Sequence, residues 1–389
     1  MTHGNRAFKL LKGGHCLAPE DMGRKDLLLV LDKIYRVEEN IPLDFIPDME
    51  VIDCTGKLIC PGFIDQHLHI TGGGGEEGPA SRIPELMLGD IISSGITTVV
   101  GVLGLDGITR SIPGLLAKAR ALTEEGITAY IYTGSYGLPA ITLTGKVSTD
   151  IGLIDQIIGV GEIAIADSRS SHPTVQQLRE LACEARTGAL IGAKAGVVHI
   201  HVGDGKEGLV PLFSLTEESD FPMDMFVPTH LNRNKRLLNQ AVEYAGKGGK
   251  IDLTAGETDD TGYSVPSALE LLLKNGVPVE NITVSSDGNG SVPSRNGNPP
   301  GVGKAKQLYE DIRGCILGRG MDAGTVLKTV TSNVARTLKI YPQKGVLSSG
   351  SDADILVLDK YDFSIHTLLA GGEVFIENGR TVKKGRFES

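Results

Sequence analysis

From residue 61 onward the chain repeats one pattern: a short apolar run of strand character, a loop, then an amphipathic helical stretch. The predicted strands are 63–70, 97–103, 127–133, 161–166, 197–202, 226–231, 250–255 and 282–286. Between them the predicted helices include 83–94, 114–126, 175–187, 235–246 and 267–276, with a last one at 329–338. Parallel strands must be joined by a crossover long enough to hold a helix, and a helix is what the repeat supplies. Eight such units over about 280 residues predict an α/β fold, a (β/α)8 TIM barrel. Strand patterning also appears at 26–37 and 49–59, and again at 353–358 and 373–382. Residues 1–60 and 341–389 are therefore expected to build one small β-sandwich beside a barrel spanning 61–340.

A barrel of this kind holds its active site at the C-terminal ends of the strands. The polar residues expected there are His67 and His69 after the first strand and Glu162 on the fourth. His201, His230 and Asp287 follow the fifth, sixth and eighth. His67 and His69 stand at i, i+2, which on a strand puts both on one face. Asp65 is expected on that same face, and the glycine run 72–75 lets the backbone turn sharply and approach a ligand. Four neutral imidazoles and two carboxylates suit zinc or another first-row divalent ion. Six ligands exceed what one tetrahedral ion needs, which predicts two divalent ions per chain, zinc first, sharing a bridging carboxylate. His199 lies deeper on the strand of His201 and is expected either to fill the barrel interior or to stand behind the ligands. His3, His15, His172 and His366 lack a strand-end context.

A formal charge of −10 argues against nucleic acid or an acidic membrane surface as partner. An anionic substrate would have to be held locally by arginines. No apolar run reaches membrane-spanning length, and residues 1–30 lack the features of a signal peptide. The five cysteines are scattered without C-x-x-C spacing and read as reduced thiols of a cytoplasmic protein, expected to form a homo-oligomer.

Several segments carry a resemblance: PGFIDQHLHITGGGGEEGP, TGSYGLP around Tyr136, ADSRSS around Arg169, VHIHVGD, VPTHLNRN, VSSDGNGS and the tail GSDADILVLD. With them the chain resembles the amidohydrolase superfamily, and within it the bacterial isoaspartyl (β-aspartyl) dipeptidases, over nearly its whole length. The resemblance implies a dipeptide substrate, a metal-bridging hydroxide as nucleophile, Asp287 as general base and acid, and Tyr136 as donor to the oxyanion. It further implies that Glu76 holds the substrate α-ammonium, that Arg169 and Arg233 grip carboxylates, and that Ser291 and the backbone of Gly74 complete the pocket. Many superfamily members bridge their metals with a carboxylated lysine where this chain has Glu162. Glutamate offers the same carboxylate on a shorter stem, and Gly161 could allow a bulge that moves the strand inward. Lys194 is the nearest lysine in sequence. Asp106 stands where the family pattern has a hydroxyl. Two other readings share parts of the pattern. A dihydroorotase-, hydantoinase- or deacylase-like enzyme gives no reason for Glu76 and the paired arginines. A non-catalytic scaffold gives no reason for six intact ligands.

Overall fold

The computed structural model describes residues 6–42, 48–292 and 301–388. Eight parallel strands line the barrel: Phe63–Leu68, Ile96–Gly101, Thr128–Thr133, Ile157–Ile165, Val197–Val202, Phe226–Thr229, Ile251–Thr254 and Ile282–Ser285. The first six are hydrogen-bonded neighbours in chain order, and the last two pair with each other. The Leu231 N–H donates to the Asp252 carbonyl at 3.4 Å, joining sixth to seventh. The Asp287 N–H donates to the His67 carbonyl at 3.1 Å and the His69 N–H to Gly288 at 2.9 Å, closing eighth onto first. These strands are buried on both faces, which explains why they read as apolar runs.

A helix follows every strand: Leu88–Ile92, Ile112–Glu125, Val147–Leu153, Val175–Gly192, Val210–Glu217, Lys235–Gly246, Val265–Lys274 and Lys306–Arg313. Several begin where the sequence supplies a cap. Ser111, Asn234 and Ser264 accept from backbone N–H groups of the first turn, and Thr174 forms a full capping box with Gln177. Lys235–Gly246 buries Leu237, Leu238, Ala241, Tyr244 and Ala245, the stripe that a 3.6-residue period requires. The helices at Val147–Leu153 and Val210–Glu217 give no such signal. The first is short and contains Thr and Gly, and the second opens on Val-Pro with little polar contrast.

Both termini enter one nine-stranded sheet. The stretch 26–37 breaks at a turn after Val30 into Asp21–Val30 and Lys33–Glu38, and 49–59 divides into Glu50–Asp53 and Lys57–Pro61. Phe8–Leu17 and Ile365–Ala370 add strands that the pattern did not predict. The join between the two ends of the chain is Lys57–Pro61 running antiparallel to Ile355–Asp359. Alternation along these two strands decides what each side packs against. Ile59, Ile355 and Val357 enter the sheet's own core, while Leu58, Cys60, Leu356 and Leu358 join the barrel core. Buried Lys344 ties the junction, pairing with Asp354 and, at 2.8 Å, with Asp352, which also meets Lys33. All five cysteines are free. Among the described residues no helix is long and apolar enough to cross a membrane.

Candidate active site

The six residues singled out as ligands converge at the C-terminal end of the barrel. His67 Nε2 lies 2.8 Å from Glu162 Oε2 and 3.4 Å from Asp287 Oδ1, and His69 Nε2 lies 3.1 Å from Asp287 Oδ1. His201 Nδ1 stands 3.7 Å from Glu162 Oε1, and His230 Nε2 stands 3.7 Å from Glu162 Oε2, the oxygen that His67 also faces. Two overlapping groups have metal-ligand spacing: His67, Glu162 and His230, and His67, His69 and Asp287.

Glu162 reaches the centre through a bulge. Val160 pairs with Val198 and Ile163 with Ile200, so Gly161 and Glu162 together face His199. The chains approach so closely there that a Cβ on Gly161 would stand 2.6 Å from the His199 carbonyl oxygen. His230 and Asp287 both sit in the left-handed region, at φ 65° and 51°. Such a conformation costs of order 1–3 kcal/mol per residue and persists only where neighbours enforce it. Here the Thr254 hydroxyl, 2.8 Å from His230 Nδ1, and the Asp287 N–H bond to strand one do so.

Whether a cation fits can be read from polar atoms left without hydrogen bonds. His67 Nε2, both oxygens of Glu162 and Asp287 Oδ1 are buried and close together, and beyond the ion pairs within this cluster they have no hydrogen bond. Buried polar groups are nearly always satisfied, so ligand atoms crowded together with only one another for partners suit an ion among them. The charges agree. Burial would lower the His67 imidazole, but Glu162 and Asp287 beside it push it up to about 9. Burial would likewise raise Glu162, yet the charge of His67 and the neighbouring imidazoles of His201 and His230 hold it well below the usual carboxylate range. Asp287 is also held low, against burial, by His67 and His69. The cluster thus balances its carboxylates with a proton on His67, and a cation would do the same while releasing that proton.

Three of the four imidazoles, His67, His201 and His230, are also held from behind. His201 Nε2 is 2.9 Å from Asp167 Oδ2, and His199 Nε2 is 3.0 Å from His67 Nδ1. Tyr136 meets His201 Nδ1 with its hydroxyl at 2.9 Å; burial, then Glu162, keeps that phenol protonated far above its ordinary range.

A cavity of about 670 Å³ opens over the cluster, with Glu76, Arg169, Arg233, Ser291, Ile83 and Val292 on its walls. Ser291 Oγ donates to Glu76 Oε1 at 2.7 Å, and Arg169 Nη1 stands 3.5 Å from the same oxygen. Arg233 Nη1 donates to the Val202 carbonyl at 3.2 Å, with its Nε 3.6 Å from Glu257 Oε1. Gly74 lines the inner part of the pocket with φ 75°, where a Cβ would strike the Ser81 carbonyl oxygen at 2.2 Å.

The chain is 41% identical to the beta-aspartyl dipeptidase of the keratin-degrading Fervidobacterium islandicum AW-1, with TM-score 0.91, over 98% of this chain and 100% of that one. The chain belongs to the beta-aspartyl dipeptidase family of amidohydrolases. The model of the Amidohydrolase family matches residues 264–384. A dihydroorotase of Bacillus cereus (strain B4264) is 30% identical over 143 residues, 36% of this chain and 30% of that protein. The matched part thus spans under a third of that curated relative. Dihydropyrimidinase from Brevibacillus agri NCHU1002, at 16% identity and TM-score 0.69 over 97% of both chains, shares the fold.

Within this family member, four sequence expectations meet different outcomes. Asp65 does not join the cluster; its carboxylate accepts from the backbone N–H groups of His67 and Ser286, at 3.1 and 3.2 Å, and burial pushes it up to about 7. The strand is irregular there, so i, i+2 spacing does not carry back to Asp65. Lys194 gives its amine to the carbonyls of Ile151 and Ile154, at the opposite end of the fourth strand. Asp106 turns to the loop N–H groups of Ile108 and Thr109 and to Arg82. His3 lies outside the described residues. Asp167 went unremarked in the sequence, although it holds both His201 and Arg169. Its signal was present as the Asp-x-Arg spacing of DSRS.

Proposed function

We propose that this protein hydrolyses the β-linked amide bond of isoaspartyl dipeptides, releasing aspartate and a second amino acid. The observation that carries the reading is the placement of Glu76, Arg169 and Arg233 around one cavity over the ligand cluster. An isoaspartyl dipeptide brings one ammonium and two carboxylates, and those three side chains match them in sign. The Fervidobacterium relative, captured with beta-Asp-Leu, supports the same substrate class.

Two divalent ions, zinc first, would be held by His67, His69 and Asp287 on one side and by His201 and His230 on the other, with Glu162 between them. Bound there, they would supply Lewis acidity, lowering the pKa of bound water to about 7 and polarising the amide carbonyl. The chain's own groups do the rest. Asp287 takes a proton from the attacking water and passes it to the departing nitrogen. Tyr136, held protonated, donates to the oxygen that gains charge. Its hydroxyl rests 2.9 Å from His201 Nδ1, at the edge of the ligand cluster. Glu76 and Ser291 receive the α-ammonium end, and the guanidinium forks of Arg169 and Arg233 receive the carboxylates.

The test is a comparison of β-Asp-Leu, α-Asp-Leu and dihydroorotate with the zinc-loaded protein. The two dipeptides carry the same charges, so only the position of amine and carboxylate relative to the scissile carbonyl can separate them. Turnover of the β isomer with little of the others is expected. Comparable kcat/KM on both dipeptides, or turnover of dihydroorotate alone, would refute the assignment.

A further inference from the structure

His199 is fully buried inside the barrel, where its ring meets Tyr132 and His67. It stacks on Tyr132, ring centroids 5.2 Å apart and planes 28° from parallel. Its Nε2 stands 3.0 Å from His67 Nδ1, the two rings crossing at 82°. His67 turns its other nitrogen, Nε2, toward Glu162 and Asp287. We propose that His199 is a positioning residue for His67, its neutral Nε2 accepting the His67 Nδ1–H and so fixing both the tautomer and the angle of that ring. The inference rests on the metal-centre reading above. An imidazole that serves a cation through Nε2 must keep its proton on Nδ1, and the group accepting that proton sets the ring's orientation. Asp167, a carboxylate, holds His201, and the Thr254 hydroxyl holds His230. For His67 the group in that place is a second imidazole. If His199 were filler, an aliphatic side chain would serve better, because His199 Nδ1 is buried with no protein partner among the described residues. Leaving such a group unpaired costs about 1–3 kcal/mol, and the contact with His67 is what sets a histidine apart from an aliphatic at this position.

The experiment measures Zn2+ affinity by chelator competition in wild type, His199→Leu and His199→Gln. The leucine variant should bind Zn2+ about 10–100-fold more weakly, as loss of such a supporting group typically does. Glutamine, whose amide oxygen can accept the same hydrogen bond, should restore most of the affinity. Equal affinity in wild type and the leucine variant overturns the proposal, and so does equal weakness of both variants. Absence of Zn2+ binding by wild type would instead refute the metal centre itself. Should the leucine variant fail to fold, histidine 15N spectra of the zinc-loaded wild type decide. His199 is expected as the neutral Nδ1–H tautomer, and an Nε2–H form or an imidazolium overturns the assignment.

Discussion

Replacing Glu162 by glutamine keeps the shape of the side chain and removes one negative charge from the centre of the cluster. The carboxylate is 1% exposed and lies 2.8 Å from His67 Nε2 and 3.7 Å from both His201 Nδ1 and His230 Nε2. Unit charges 4 Å apart attract by about 4 kcal/mol at an effective dielectric of 20. Desolvation offsets part of that, and removing one partner of a buried pair costs about 3–5 kcal/mol in practice. At roughly 1.4 kcal/mol per tenfold, Glu162→Gln should bind Zn2+ two to three and a half powers of ten more weakly and lose one ion or both. Metal analysis after equilibrium dialysis against buffered Zn2+ reads this directly, with circular dichroism confirming the fold. A second arm uses the wild type: the metal-free protein should regain activity equally with and without bicarbonate, because glutamate needs no carbon dioxide to become a bridge. Wild-type metal content and affinity in Glu162→Gln would refute the bridging role, as would a requirement for bicarbonate.

Three further outcomes follow from the same geometry. Asp287→Asn should lower kcat by about 10²–10⁴-fold, the range of a lost general acid–base group, with the fold intact; full activity in metal-loaded Asp287→Asn removes it from the proton path. Tyr136→Phe should lower kcat by about 10²–10³-fold while leaving Zn2+ affinity within a few-fold of wild type, and a loss confined to KM would contradict an oxyanion role. Lys344→Met should cost about 3–5 kcal/mol of stability at pH 7, because it takes from Asp354 its buried cation and leaves Asp352 with Lys33 alone. Burial would raise Asp352, but Lys344 and Lys33 hold its carboxyl below the usual range, so their stabilisation is present above the unfolded carboxyl pKa and fades as pH falls through the folded one. Denaturant midpoints should therefore differ most near pH 7 and converge below about pH 4; a constant gap would show that the ion pairs are not its source.

Periodicity alone was enough to determine the barrel. Short apolar strands buried on both faces and helices with a 3.6-residue stripe leave few other ways to hide their apolar surface, and capping residues such as Thr174 and Asn234 mark where helices begin. The six ligand candidates were legible for a related reason: strand ends of a barrel all open on one face, so a polar residue just past each strand has one place to go. Local sequence could not show what depends on contacts between distant segments. Val147–Leu153 and Val210–Glu217 are weak helix formers held by the layer they pack in, and Phe8–Leu17 is a strand because Asp21–Val30 and Lys57–Pro61 pair with it. Spacing puts Asp65 on the face of His67 and His69, but in the irregular strand its carboxylate accepts from the Ser286 N–H. Asp167 behind His201 and His199 behind His67 lie 34 and 132 residues from the groups they touch. No periodicity encodes such pairings; they arise only when the closed barrel brings strands one, four and five around a common centre.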